Sequence, residues 1–473
     1  MDMVFHPGFG RSRSAYTALC SGVLFPVHEL LKGHSSVAVR RRLEAQEWWP
    51  RDRLEAWRVE RLRDFLMAVG ARVPHYRALF ARLDFDPAGV TSLTDLQRLP
   101  LTDKGVVRAA GDRLKAEGAR GLSSYSTGGS TGDPLIFSIG KARRSHDVGA
   151  KWRATRWWGV DIGDPELLVW GSPIELKAQD RVRQWRDWVL RTKLLSAFEM
   201  SAANLDRFVA TIRARRPAML FAYPAALALV ASHARARGIA LDDLGVRVAF
   251  VTSEPLYPAQ RAAITEAFGC PVANGYGARD SGFLAHECPH GGMHVQAEDI
   301  IVEIVDGAGR VLGPGEAGEI VVTHTATRDF PFLRYRTGDI GVLSDEACPC
   351  GRSLPLLREI QGRAIEFLLA TDGRVVSGHA MEYTVRQVAG VERYQVVQHR
   401  RDLVELRLVV RPPFGAAGAE RLVRDCTARL GPDTTIRISL VPEIPNDRNG
   451  KYRHVVSHLP AAERTWAQAS PQP

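Results

Sequence analysis

Three observations predict an α/β fold: a large core of parallel strands and helices with a small antiparallel β subdomain, then a small α+β C-terminal domain. From 121 to 294, short apolar runs alternate with stretches of helical period, the pattern of a largely parallel sheet. Near 295 the pattern changes to strand, turn and strand, and after Gly362 it restarts as a compact unit. A chain of 473 residues is too long for one ordinary domain, and it can bury its core without disulfides.

The elements follow in order. Residues 1–120 read as mainly helical. The apolar stretch 15–31 is interrupted by Ser21, His28 and Glu29, short of the roughly 20 clean apolar residues of a membrane span. It reads as a buried or surface-docking helix. No cleavable signal is recognisable and no transmembrane segment is expected, so the cytoplasm is the expected location. Residues 44–65 show helical spacing, Pro74 opens another helix, and Thr102 or Asp103 is placed to cap a third. Buried strands are expected at 167–171, 218–223 and 246–254, with helices at 205–215, 225–237 and 258–268. The β subdomain spans 295–361 and closes a core of 1–361. In the small domain, 362–460, strands at 394–398, 403–410 and 434–441 accompany a helix at 416–430, and 461–473 reads as a disordered tail.

The net charge is +10, but the basic residues are scattered without aromatic interleaving, which argues against a nucleic-acid reader. The densest run, RVRQWRDWVLR at 181–191, reads as a solvated helix face with a Trp-lined underside. Eight of the 63 basic residues are lysine, and Lys451 is the sole lysine after Lys193. Where arginine serves everywhere else, a lone lysine points to a need for a compact ammonium on a flexible stem.

Four motifs carry chemistry. SSYSTGGSTGDPL at 123–135 is a Gly- and hydroxyl-rich loop whose N–H groups can wrap a polyphosphate, although it lacks the lysine of a Walker loop. In NGYGARDSG at 274–282, Tyr276 beside Gly277 can lie flat on a purine, and Asp280 offers a carboxylate suited to Mg²⁺. In FLRYRTGDIG at 332–341, Asp339 follows a Thr-Gly turn, near Arg336, where it can accept both hydroxyls of a ribose. In NDRNGKYR at 446–453, Gly450 permits a tight loop that presents Lys451. Separately, Cys288, Cys348 and Cys350, with His290 or His294, could complete a tetrahedral structural zinc site.

With VPHYRALF, LQRLPLTDK, VTSEPL and CPCGR, these motifs stand in one order over about residues 50 to 456. The chain resembles the adenylate-forming (ANL) superfamily, and within it the phenylacetate–CoA ligase-like and CapK-type branch. The resemblance implies a mobile C-terminal lid and an AMP-forming acid–thiol ligase: a carboxylic acid is activated by ATP to acyl-AMP, then transferred to CoA. It implies that Ser126, Thr127, Gly128, Gly129, Ser130, Thr131 and Gly132 hold the ATP phosphates. It places Tyr276 on adenine with Ser253, Glu254 and Gly277 in the same pocket, Asp280 at the position of a glutamate that binds Mg²⁺, and Asp339 at the ribose. Arg363 falls at the hinge and Lys451 at the catalytic position, bridging carboxylate and α-phosphate. Relatives with the same cysteines look like zinc binders, His294 is favoured over His290 as the fourth ligand, and family members often pair as homodimers.

The hinge departs from the family pattern: Ile365 stands where Asp or Lys is usual, which leaves the second half-reaction open. The alternatives are transfer of the acyl group to an amine or hydroxyl in polysaccharide or natural-product biosynthesis, and a non-catalytic adenylate-binding scaffold. A P-loop ATPase or a kinase is excluded by its missing signatures. An acyl pocket near Tyr223, with Ala222, Ala225, Gly275 and Phe283, would suit an apolar or aromatic acid.

Overall fold

In a computed structural model, the description covers residues 14–126, 135–170, 181–197, 200, 202–363, 367–372, 375–377, 381, 384–385, 387–445 and 453–460. The chain divides into two compact units. The first comprises 1–302, 322–335 and 344–358; the second comprises 303–321, 336–343 and 359–473.

The first unit begins with helices. α1 (Ala15–Leu19) continues through a π turn at Cys20–Leu24 into α2 (Phe25–Leu31). Next come α3 (Ser36–Gln46), α4 (Arg51–Arg72), α5 (Pro74–Arg82) and α6 (Lys104–Ala110). The helix expected over 44–65 is therefore two. Pro50 lacks an N–H and disfavours helical backbone in the residue before it, so α3 ends and α4 starts afresh after Pro50. Asp103 caps α6, accepting from Val106 N at 2.8 Å.

Strands β1 (Ser123–Ser126) and β2 (Ile136–Ile139) pair antiparallel and flank the glycine-rich loop. α7 (Lys141–Trp157) leads to β3 (Glu166–Trp170), α8 (Arg181–Val189) and β4 (Thr192–Ser196). Then follow α9 (Ala202–Arg215), β5 (Met219–Ala222), α10 (Pro224–Ala236), β6 (Val248–Thr252) and α11 (Pro258–Phe268). β7 (Val272–Ala278), β8 (Gly282–Glu287) and β9 (Met293–Val295) follow. The strand order is β9-β8-β7-β6-β5-β3-β4. β4, β3, β5, β6 and β7 run parallel, whereas β8 pairs antiparallel with β7, and β9 antiparallel with β8. The alternation of apolar runs with helical periods is thus a parallel sheet covered by helices, with Leu167, Val169, Leu220, Ala249 and Val251 in its core.

β10 (Ile300–Val305), β11 (Ala317–His324), β12 (Tyr335–Ser344) and β13 (Leu356–Arg363) each have residues in both units. In the second unit, β14 (Phe367–Leu369) and β15 (Val375–Ser377) pair as a hairpin. β16 (Val391–Arg400), β17 (Leu403–Val410), α12 (Ala416–Leu430), β18 (Thr435–Leu440) and β19 (Val455–Ser457) complete it. The sheet order is β18-β17-β16-β19, and Leu422, Cys426 and Leu430 of α12 are buried in its core. Every element expected between 394 and 441 is present; β19, parallel to β16, is additional. The tail at 461–473 lies outside the described residues.

Candidate active site

The parallel strands place the candidate residues at their C-terminal ends. In chain order, β3 is followed by β4 on one side and β5 on the other, which makes the β3/β5 gap the switch point where open α/β sheets bind ligands. Trp170 ends β3 and Tyr223 follows β5; their rings stack at 4.1 Å and 19°. Phe221 lies 5.4 Å from Trp170 and stacks on Phe250 at 5.8 Å. A Cβ on Gly275 would lie 2.8 Å from the Phe250 ring, so this residue is packed against the aromatic wall.

Beyond β6, Ser253 holds a left-handed φ of 72°, a backbone conformation that costs a non-glycine residue free energy and recurs at ligand sites. Glu254 accepts from Ala225 N at 3.3 Å at the start of α10, so its carboxylate is engaged by a helix N-terminus. Tyr276 is half-buried on β7. At Gly277 a Cβ would sit 2.2 Å from the Gly282 carbonyl oxygen, so only glycine allows the β7–β8 hairpin to close this tightly.

Asp280 stands in that hairpin's turn. Its Oδ1 accepts from Ser281 N at 3.0 Å and its Oδ2 from Tyr335 Oη at 2.8 Å. The Arg143 guanidinium, from α7, donates to the carbonyls of Asp280 at 3.3 Å and Arg279 at 3.4 Å and to Thr327 Oγ1 at 3.3 Å. Asp147, one turn on, accepts from Arg143 at 3.0 Å. Arg279 in turn donates to the Ser126 carbonyl at 3.5 Å, which ties the hairpin to the start of the glycine-rich loop. A cavity of about 10 Å³, room for about one water, lies between Asp280, Arg143, His324, Thr327 and Tyr335.

In the second unit, Asp339 lies within β12 rather than after a free turn. Gly338 interrupts the strand with φ 78°, and Thr337 Oγ1 accepts from Asp339 N at 3.1 Å. Arg336 is committed to Glu319, which also accepts from Gly338 N at 3.1 Å. Arg363 ends β13. Thr127, Gly128, Gly129, Ser130, Thr131, Gly132 and Lys451 lie outside the described residues, as does Ile365.

The second constellation is a buried cluster of Cys288, His294, Cys348 and Cys350, whose ligand atoms all lie within 4.8 Å of one another. Cys288 Sγ is 3.7 Å from Cys348 Sγ, and Cys350 Sγ is 3.2 Å from His294 Nε2. Two tight turns present the thiols, with Gly291 N donating to Cys288 O and Gly351 N to Cys348 O. His290 is exposed whereas His294 is fully buried, which decides between the two histidines. A hydrogen bond from Cys288, then one with His294, hold the Cys350 thiol far below its usual value; the bond to Cys350 holds Cys288 far above.

A model of AMP-binding enzymes matches residues 194–327, and a model of the CapK C-terminal domain matches residues 368–458. The phenylacetate–coenzyme A ligase of Thermus thermophilus is 26% identical, covering 87% of this chain and 98% of that protein. Protein CapK of Staphylococcus aureus is 22% identical over 85% of this chain and 88% of its own. These matches support membership of the adenylate-forming superfamily, in its phenylacetate–CoA ligase and CapK branch. A solved 2-hydroxyisobutyryl-CoA ligase, in the postadenylation state, shares the fold with a TM-score of 0.69 at 22% identity, covering 85% of this chain and 88% of that one.

The donor sets of this chain fit two ions. Each Asp280 oxygen accepts one hydrogen bond and keeps a lone pair, enough for one bond to Mg²⁺. Three thiols and an imidazole fit zinc: tetrahedral Zn–S bonds of about 2.3 Å space sulfurs about 3.8 Å apart, close to the 3.7 Å between Cys288 and Cys348. Arg143, Arg279 and Tyr335 were not singled out as site residues in the sequence; Tyr335 stands inside the RYRTGD motif, but nothing local ties it to Asp280.

Proposed function

We propose that this chain is an AMP-forming acid–CoA ligase that activates an apolar or aromatic carboxylic acid as its acyl-AMP and passes the acyl group to CoA. The observation that carries the reading is the β7–β8 hairpin, which holds Asp280 at the sheet's C-terminal edge and is linked through Arg279 to the start of the glycine-rich loop. ATP and a carboxylate are both anionic and repel each other, so adenylation needs positive charge where negative charge builds at the α-phosphate. Mg²⁺ would supply part of that charge as a Lewis acid, with Asp280 holding it. Lys451 is assigned the remainder, bridging the substrate carboxylate and the α-phosphate. In this reading residues 127–132 bind the phosphates, Tyr276 with Ser253 and Glu254 the adenine, Asp339 the ribose, and Arg363 the hinge.

The stacked Trp170–Tyr223 pair, with the buried Phe221–Phe250 stack packed behind it, makes the switch point flat and apolar, which supports an aromatic acid. Cys288, His294, Cys348 and Cys350 are assigned a structural zinc. Four protein ligands close the coordination shell, so the ion would clamp two turns and take no part in the chemistry.

ATP–pyrophosphate exchange tests the reading. It is expected to depend on an added acid, to be strongest with aryl or apolar acids, and to fall by about 100-fold or more in Lys451→Ala. Absence of exchange with every acid in a broad aryl and fatty panel would sink it. Transfer to an amine or hydroxyl is the second reading, favoured by the CapK match at 368–458 and by Ile365 at the hinge. Addition of CoA, then of amines, to the charged enzyme separates the two by product.

A further inference from the structure

Eight of the sixteen large apolar side chains exposed among the described residues fall in two helical segments. Leu19, Val23, Val27, Leu30 and Leu31 recur at helical spacing along 15–31, with Leu30 75% and Leu31 84% exposed. Trp185 and Trp188, 67% and 72% exposed, stand one turn apart on α8. The expected Trp-lined underside of α8 is therefore its outer face. The segments are neighbours: Tyr16 Oη donates to the Val189 carbonyl at 2.7 Å, and the Arg191 guanidinium sits 5.5 Å from the Tyr16 ring.

The helix at 15–31 is docked largely by its polar groups. Thr17 donates to Asp164 at 2.9 Å, the buried Glu29 accepts from Ser36 and bonds His34 at 3.2 Å, and Phe25 alone supplies a large inward ring, against Trp152. A surface helix normally turns its apolar stripe inward. Here the stripe faces out, and contiguous exposed apolar surface of this kind marks an interaction site.

Charge identifies the occupant. The exposed cations Lys32, next to Leu31 in the chain, and Arg191, beside the Tyr16 ring, border the stripe, and the acid on α8, Asp187, is already paired with Arg186. A second copy of the chain would bring these cations against each other. A 17-residue helix is roughly 25 Å long and lies readily in the plane of a membrane interface. Leucines reaching into acyl chains, tryptophans at headgroup level and cations on anionic headgroups form a consistent set. We propose that residues 15–31 and α8 together form a docking face for the surface of an anionic phospholipid bilayer.

The test is co-sedimentation of the full chain with vesicles of mixed phosphatidylglycerol and phosphatidylcholine, and with phosphatidylcholine alone. Binding is expected to the anionic vesicles, to weaken with salt, and to fall about tenfold or more in Leu30→Asp/Leu31→Asp. The melting temperature and ATP–pyrophosphate exchange of that variant should match the parent. Trp188→Ser, on the other helix, should weaken binding as well, and covers the case in which the double variant misfolds. No binding to anionic vesicles at low salt, or equal binding by all variants, overturns the proposal. So does a parent dimer in light scattering that the Leu30/Leu31 variant splits, with no vesicle binding: the face would then be a self-association surface.

Discussion

Asp280 has one methylene less than a glutamate, so its position depends more heavily on its neighbours. Tyr335 fixes one carboxylate oxygen, and Arg143 fixes the turn that carries it. Tyr335→Phe removes one hydrogen bond to a charged group, about 1.5–3 kcal/mol, while keeping the ring. A free-standing Asp280 should hold Mg²⁺ less well. The apparent Mg²⁺ requirement of ATP–pyrophosphate exchange is therefore expected to rise by about 10- to 100-fold, with the rate at saturating Mg²⁺ changing less. An unchanged Mg²⁺ titration would show that Tyr335 is only packing. Asp280 and Tyr276 were legible as candidates because both sit in one short motif that carries its own turn chemistry, whereas Ser253 was named only through the family resemblance. Arg143 was not: it is 137 residues from the carbonyl it holds, and one arginine among 55 has no local mark.

At the level of elements, periodicity located the strands and helices whose apolar face meets a single neighbour. Pro258–Phe268 and Ala416–Leu430 fall on the expected bounds. α7 escaped because it is wrapped on several sides, burying Arg143, His146, Arg153 and Thr155 along with Trp152, so no stripe emerges. The cysteine turns were legible as donors but not as geometry: β8, β9 and the turn before β13 bring together residues 60 apart. If zinc clamps them, Cys348→Ser should lower bound zinc from about one ion per chain to near zero and lower the melting temperature. Chelation of the parent should produce the same loss of stability. Equal zinc content in parent and variant, by elemental analysis, would remove the site.

At the scale of the molecule, a buried ionic knot pins the N-terminal helices of the first unit. Asp299 accepts from Arg42 of α3 and from Arg61 of α4 at 2.9 Å, and lies 3.3 Å from His146 of α7. Burial alone would raise the Asp299 carboxyl, but His146, Arg42 and Arg61 outweigh it and hold it well below the usual range. Burial would lower His146, yet Asp147 and Asp299 raise it overall. Glu47, buried near Arg153, is pushed up to about 7, chiefly by burial. The signs follow by linkage. The Asp299 contribution is present above the ordinary carboxylate range of about 4 and is lost as pH falls below it. The His146 contribution is complete below about 6.5 and is lost as pH rises through its raised value. Glu47 favours the folded state in its neutral form, so stability declines as pH climbs from about 4.3 towards that value of about 7. Stability of the first unit should therefore peak on the acid side of neutrality. Nine of the ten tryptophans lie in this unit, so urea unfolding followed by tryptophan emission reports on it. Asp299→Asn leaves His146, Arg42 and Arg61 around a neutral group and is expected to cost about 3 kcal/mol near pH 6, with the deficit shrinking below about pH 4. Glu47→Gln is expected to gain on the parent at pH 8 relative to pH 5. A deficit for Asp299→Asn that does not change with pH would mean that its carboxylate is held by shape, and that the charges around it are incidental.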